Sequence, residues 1–390
     1  MSKFVVQHDK PTCIELFAGA GGLMLGLEMA GFSTLVATEV HPDPCKTLQR
    51  NFPEVPVVCK DIRELSGKDL LEAAGKELGC EIDLIAGGPP CQGFSNAGLK
   101  DPDDPRNTLI GEFIRIVEEV RPRFFLMENV EGLKNLHQGK LFNKVLERFQ
   151  KTGYTITWKV LFAADYGVPQ MRKRLFIVGS RDNERFEFPS PTHFSYDDIQ
   201  KGLFESPKKP YVTVGDALGD IPPINQGEIT DRYEKGPKTE YEKLMREGAV
   251  RIYNHQASKH KKETMEYYSL LPPGGIWQDI PEHLRKKKQG MQRWPLDGLS
   301  RTITTEPTDF IHPVLHRIPT IRELARIQSF PDNYEFLGQR TTGNKMRRLG
   351  YCAQSQQVGN AVPPLLAKAV GTAIFNLLKS AKSIEVKKTA

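Results

Sequence analysis

The chain has 390 residues, 39% of them hydrophobic and 26% charged, with a formal net charge of +6. This balance excludes disordered and fibrous classes and leaves room for one large globular domain with a smaller companion. No long apolar run or leader pattern points to a membrane or to export, and six cysteines without a Cys-x-x-Cys pair argue against a zinc site or a disulfide framework, so a cytoplasmic protein without a bound metal is expected.

The first predicted strand, Cys13–Phe17, runs into Ala18-Gly19-Ala20-Gly21-Gly22, and a helix over Leu23–Ala30 stops at Gly31. Strand, glycine turn and helix open a doubly wound nucleotide-binding sheet, because glycine lets backbone approach a ligand where a Cβ would collide. The next strand, Thr34–Thr38, ends in Glu39, about 20 residues beyond the glycines, where a carboxylate can accept hydrogen bonds from ribose hydroxyls. A third strand, Val55–Cys59, leads to Asp61-Ile62, an acceptor for an adenine amino group and an apolar cover for its ring. Each acid has a plainer alternative: Glu39 as a helix cap, Asp61 as a turn residue.

The stretch Ile82-Asp83-Leu84-Ile85-Ala86 reads as a buried strand that Gly87-Gly88-Pro89-Pro90 ends abruptly, presenting Cys91 in a loop outside the sheet. A cysteine that only packs needs neither the rigid Pro-Pro before it nor the Gly-Phe-Ser that follows. An amphipathic helix opens near Arg106–Leu109, with Ile110, Phe113, Ile114, Val117 and Val120 on one face. The strand Arg123–Met127 ends in Glu128-Asn129-Val130, and a carboxyl at the end of a buried strand tends to hold its proton. Cys91 and Glu128 at neighbouring strand ends make a nucleophile and an acid facing one pocket; the alternative for Glu128 is a buried carboxylate bound to backbone. Further on, Gln170, Arg172 and Arg174 alternate along an extended segment, which places all three on one side.

Gly-Pro-Pro-Cys-Gln-Gly-Phe-Ser at 88–95 resembles the nucleophile motif of the DNA (cytosine-5) methyltransferases. The family's other motifs follow in order: Phe17, Gly19, Gly21 and Gly22 on the glycine motif, Glu39 and Asp61-Ile62 on the next two, and Gln170-x-Arg172-x-Arg174. They continue through Thr320–Pro331, with Pro319 where the family usually has leucine, to Gln357–Pro364. The resemblance implies S-adenosylmethionine as cofactor, with Leu109, Asn360 and Val362 completing its pocket. It implies Cys91, Glu128, Arg172 and Arg174 as catalytic residues, the arginines holding the cytosine O2 and adjacent phosphates, and Ser95, Gln170, Thr302 and Ile303 as DNA contacts. The glycine turn lacks the Gly-x-Gly-x-x-Gly spacing that seats a pyrophosphate, which also speaks against NAD.

From about Phe188 prolines and charges multiply and the strand–helix alternation lapses. The expected architecture is α/β: a doubly wound, Rossmann-like methyltransferase sheet over 1–190, completed by 350–390, with a smaller irregular target-recognition domain and hinge over 191–349. Lys259–Lys262 and Arg285–Lys288 could contact phosphate, although a solvated face is the ordinary reading of a lysine run. Arg322 and Glu323 are expected to pair, and the basic segment Gly338–Ser355 has no assigned role. The implied reaction is methylation at C5 of a flipped-out cytosine in duplex DNA through a covalent bond from Cys91 to C6, in a compact bacterial modification enzyme. Such an enzyme's partner besides DNA is a separately encoded restriction endonuclease. The competing readings are a tRNA cytosine methyltransferase of the same fold, a catalytically idle DNA-binding regulator, and a small-molecule methyltransferase.

Overall fold

A computed structural model describes residues 10–90, 108–182, 184–200, 209–286, 289–341 and 350–389. Cys91 and Ser95, like Lys287 and Lys288 of the basic run and residues 342–349 within Gly338–Ser355, lie outside the described residues.

Strands β1 (Thr12–Leu16), β2 (Ser33–Glu39), β3 (Val57–Cys59), β4 (Leu84–Gly87) and β5 (Phe124–Val130) form the parallel part of a seven-stranded sheet. After β6 (Thr155–Phe162) and the short β7 (Gln170–Met171), β8 (Lys173–Ser180) inserts between β5 and β6 and runs antiparallel to both. The sheet order is β3-β2-β1-β4-β5-β8-β6. The order reverses direction between β1 and β4, so their chains leave to opposite faces and open a crevice at the carboxyl ends. Glu39 ends β2 and Glu128 lies near the end of β5, both on that rim.

Side-chain alternation divides the sheet between two cores. Phe125, Met127, Ile85, Leu175 and Ile177 face α3 (Gly67–Ala73), α4 (Thr108–Val120) and α5 (Lys140–Lys151), where the expected stripe Ile110, Phe113, Ile114, Val117 and Val120 is buried. Phe124, Leu126, Leu84, Phe176 and Val178 face α1 (Gly22–Met29) and the terminal helix Pro364–Thr389. The phenyl rings of Phe125 and Phe149 stack 4.3 Å apart, locking α5 to the middle of β5. Burying strands on both faces is what permits their near-continuous apolar sequences.

The second half packs differently from the expected 191–349 unit. Val214, Ala217, Tyr241, Met245, Ile321, Leu324 and Phe336 share a core with Ala18, Met24, Leu48 and Phe52, so these pieces close over the glycine turn rather than standing apart. A separate apolar cluster, Tyr267, Tyr268, Leu271, Ile280, Met291, Ile311 and Ile318, marks the more independent region. Arg322 and Glu323 do not pair with each other. Adjacent residues on a helix point away from one another; Glu323 binds Arg317 with both oxygens at 2.7 and 2.8 Å, while Arg322 binds three backbone carbonyls, those of Tyr253, Pro331 and Tyr334.

Candidate active site

The rim is assembled first at the glycine turn. Phe17 leaves β1 with φ +55, a left-handed conformation that costs a bulky residue about 1–3 kcal/mol and is kept where surrounding structure over-determines it. The turn then tightens: Ala18 N–H donates to the Thr38 carbonyl at 2.9 Å, and Gly21 N–H to the Ala18 carbonyl at 2.8 Å. Glu15, on β1, supplies the cap that α1 lacks at its own N-terminus, accepting from Met24 N–H at 3.1 Å. At Gly22 a side chain is impossible, since a Cβ would lie 2.3 Å from the Val362 carbonyl oxygen. The Val362 carbonyl thus lies directly against the first loop; Asn360, at the end of the helix Gln354–Asn360, is exposed nearby in sequence.

Glu39 serves as more than a helix cap. Its Oε2 accepts from Gly19 N–H at 2.9 Å, and its Oε1 accepts from Val40 and His41 N–H at 3.0 and 2.9 Å. One carboxylate thus fixes the glycine turn to the end of β2 and keeps lone-pair capacity for a ligand hydroxyl. Among the described residues, no atom beyond Gly19 and its chain neighbours lies within 4 Å of where a Cβ on Gly19 would stand, which leaves that side of the turn open to a ligand. A carboxylate at a strand end beside an open glycine cradle suits an adenosine-bearing cofactor. Leu109 lies half-buried in the first turn of α4, against the same core that holds Ile62.

Asp61 departs from expectation. Both its oxygens are engaged by Arg63: Oδ1 accepts from the backbone N–H and Nε at 3.0 and 2.9 Å, and Oδ2 from Nη2 at 2.5 Å. The Arg63 guanidinium holds the Asp61 carboxyl below its ordinary value. This is the turn-capping alternative, and an adenine amino group would have to share the acceptor. Ile62 is buried rather than spread over an open surface.

At the other side of the crevice Glu128 is buried, and its Oε1 accepts from Arg174 Nε at 2.8 Å. Burial pushes the Glu128 carboxyl above the usual carboxylate range, against the pull of Arg174 and then Arg172. Burial likewise lowers Arg174, opposed by Glu128. Arg174 Nη1 donates to the Lys173 carbonyl at 2.8 Å, and Nη2 has no protein partner among the described residues. Gly88 leaves β4 directly against this acid: a Cβ there would stand 2.9 Å from Glu128 Oε2. The neighbouring Asn129, missed by sequence reasoning, donates from Nδ2 to the Pro89 carbonyl at 3.0 Å, which ties the Pro-Pro exit of β4 to the end of β5 just before Cys91. An amide directly after a strand-end acid was the available signal.

Gln170 and Arg172 must be corrected: they do not share a ligand-facing side with Arg174. Arg172 N–H donates to the Gln170 carbonyl at 2.9 Å, a tight turn between β7 and β8 that breaks the two-residue alternation. Both side chains are fully buried. Arg172 donates to the carbonyls of Ile303, Gly359 and Ala361 at 2.9–3.0 Å. Gln170 donates to the Ile327 carbonyl and to Gln328 Oε1, and accepts from Ile303 N–H. Gln328 in turn donates to the Val358 carbonyl at 2.7 Å. These residues knot the recognition segment, the helix Ile321–Ile327 and the turn before the terminal helix into one support. Ile303 is buried inside this knot and offers no groove contact; Thr302 is half-buried, with its hydroxyl on the Met171 carbonyl at 2.6 Å.

A family model described as C-5 cytosine-specific DNA methylase matches residues 11–376. The chain is 38% identical to the Type II methyltransferase M1.HphI of Haemophilus parahaemolyticus over 383 residues, 97% of this chain and 90% of that protein. It is 34% identical to the Type II methyltransferase M.DdeI of Desulfomicrobium norvegicum, covering 93% of this chain and 88% of the relative. Among solved structures, a protein assigned as a DNA modification methyltransferase, encoded within an E. coli prophage, superposes with a TM-score of 0.74 at 29% identity, covering 95% and 99% of the two chains. The Dnmt2 methyltransferase of S. pombe shares the fold, with a TM-score of 0.57 at 18% identity and coverage of 96% and 99%.

Proposed function

The chain belongs to the C-5 cytosine-specific DNA methylases, enzymes that methylate cytosine in DNA with S-adenosylmethionine, and on that premise we propose that Cys91 is its nucleophile, Glu128 its acid and Arg174 the group that orients the base. The observation that carries this reading is the buried Glu128–Arg174 pair beside the Gly88-Pro89-Pro90 exit, with Asn129 fixing the loop that delivers Cys91.

Cytosine C5 is too weakly nucleophilic to take a methyl group directly. The Cys91 thiolate adds to C6 and turns the ring into an enamine with electron density at C5. Glu128, whose carboxyl burial pushes above the usual carboxylate range, donates at N3 and stabilises the charge that builds up during addition. Arg174 holds the Glu128 carboxyl in place through Nε and offers Nη2 to the base oxygen O2. The cofactor supplies a methyl group on a sulfonium centre. Phe17, Gly19, Gly21 and Gly22 would cradle it, Glu39 would accept from its ribose, and Leu109 and Val362 would wall the pocket. Loss of the C5 proton then expels Cys91. A base cannot reach this rim while stacked, and flipping is the general solution for enzymes that act on a base.

We assign target reading to the region around the separate Tyr267–Ile318 cluster, with basic Lys259–Lys262 beside it. Among the described residues no single helix is long and apolar enough to cross a membrane. A bacterial cytoplasmic setting and a cognate restriction endonuclease complete the proposal, in keeping with the Type II names of the relatives. The test is duplex DNA carrying 5-fluorocytosine with S-adenosylmethionine. Fluorine cannot leave C5 as a cation, so a stable covalent adduct mapping to Cys91 is expected. An adduct on tRNA but not on any duplex would replace DNA as substrate, and an adduct at another residue would remove Cys91 from its role.

A further inference from the structure

Two cysteines outside the catalytic motif flank one turn of the cofactor rim. Cys45 lies in the first turn of α2 (Pro42–Asn51) and is buried; Cys59 ends β3 and is exposed. The β2–β3 register sets Cys59 opposite Glu39. The Cys45 thiol donates to the Glu39 carbonyl at 3.5 Å and the Cys59 thiol to the Val40 carbonyl at 4.0 Å. Both thiols therefore converge on consecutive carbonyls of the same turn. Packing accounts for a small residue at 45 but asks for no thiol at the exposed position 59.

We propose that Cys45 and Cys59 are an oxidisable dithiol, a modification site at which a peroxide closes a disulfide and weakens cofactor binding. The exposed Cys59 reacts first. Its thiolate attacks one peroxide oxygen, the O–O bond breaks, hydroxide leaves, and a sulfenic acid remains. The Cys45 sulfur then attacks the Cys59 sulfur; the S–S bond forms, the S–O bond breaks, and the departing hydroxide takes the Cys45 proton as water. Two thiols and one hydrogen peroxide give one disulfide and two waters. Burial and the neighbouring Cys59 push the Cys45 thiol up, so Cys45 is the resolving partner rather than the first to react.

The consequence is mechanical. Closing to an S–S bond of about 2.05 Å draws the start of α2 toward the end of β3 and removes both S–H donors from the turn. That turn carries the Val40 and His41 N–H groups that hold Glu39 Oε1, while Oε2 holds Gly19. A shift of the turn thus reaches the glycine cradle. This effect rests on the reading of Glu39 as a cofactor ligand; formation of the disulfide does not.

The experiment uses the full chain with Cys91→Ser, which removes the competing reactive thiol. The protein is treated with hydrogen peroxide, remaining thiols are alkylated after denaturation, and disulfides are mapped by non-reducing peptide mass spectrometry. S-adenosylmethionine affinity is measured by calorimetry before oxidation, after it, and after dithiothreitol. A Cys45–Cys59 linked peptide and a loss of affinity of about tenfold, the size of one charge-assisted hydrogen bond, are expected, with recovery on reduction. Saturating cofactor should slow the closure, and a further Cys59→Ser change should abolish both the link and the loss. Sulfinic acid at Cys59 with Cys45 unlinked, or a link to another cysteine, overturns the pair. A Cys45–Cys59 bond with unchanged affinity overturns its control of the rim. In the reduced protein, a Glu39→Ala variant that binds cofactor as well as its parent would defeat the Glu39 reading alone and leave the disulfide result standing.

Discussion

The sheet half and the half that follows it satisfy their buried backbone in opposite ways. In the sheet, ladders pair the carbonyls, the two cores are apolar, and charge is confined to strand ends such as Glu39 and Glu128. From Val214 to Leu337 strands are few and short, and guanidinium groups take over as donors. Arg293 donates to the carbonyls of Tyr268, Leu271, His312 and Leu315, and Arg317 to those of Ile224 and Ile318. Arg326 binds the Ala217 carbonyl and the carboxylates of Asp220 and Asp332. Irregular chain cannot pair its own carbonyls, and five-donor arginine is the side chain that can pair several at once. The lesson is that buried charge in the second half is architectural, whereas in the sheet half Glu15 and Arg172 brace the fold and Glu39 and Glu128 stand on the rim of the candidate site.

That contrast can be broken at three places. The largest effect is expected at Glu128. Glu128→Gln should lower kcat by about 10²–10⁴-fold while thermal unfolding stays close to the parent's, because the isosteric amide keeps an oxygen that accepts from Arg174 Nε. Burial raises this carboxyl, so its proton is present below the raised value and is lost as pH climbs through it. The parent's kcat should therefore fall on the alkaline side, and a parent profile without that limb would remove the acid role.

Next is the charge network. Asp332→Asn should cost about 1.5–3 kcal/mol, measured by denaturant titration, by removing one of the two carboxylates that hold Arg326. Arg326 holds Asp332 below its ordinary value and Arg317 does the same for Glu323. A depressed folded value adds stability that is fully present above the unfolded value near pH 4 and is lost as pH falls through the folded one. Acidification below about pH 4 should thus lower Tm in the parent, and less steeply in Asp332→Asn; equal slopes would break the assignment. The smallest effect is at Gly88. Gly88→Ala should push Glu128 aside and reduce kcat by about tenfold with little change in cofactor affinity, less than the roughly 10²-fold cost of a 1 Å misplacement because the clash is slight. A change in cofactor KM instead would place Gly88 in the other pocket.

The sheet was legible because apolar runs and glycine or proline stops are local signals, as Phe124–Val130 and the Gly88-Pro89-Pro90 exit illustrate. Glu39 and Glu128 were legible for the same reason: each follows its strand directly in sequence. The fates of Gln170, Arg172 and Ile303 were not. Their partners lie far along the chain, Ile303 and Ala361 for Arg172, and a tight turn at 170–172 reverses what alternation implies. Asp61 was decided by a competitor two residues away, since a short polar side chain favours nearby backbone and its own neighbour over a distant role. The Tyr334 hydroxyl on the Ala20 carbonyl left no pattern in sequence because it is a single long-range contact.

The contact of Gly22 with the Val362 carbonyl also sets an order of events in the cell. The two residues are 340 positions apart, so the glycine turn leaves the ribosome long before the chain that braces it. At about 5–20 residues per second the wait is roughly 20–70 s. During synthesis the early strands and α1 exist with one flank bare, and the cofactor cradle cannot settle until translation has passed Val362. An unfinished polypeptide would carry the glycine turn without the brace that the Val362 carbonyl gives it.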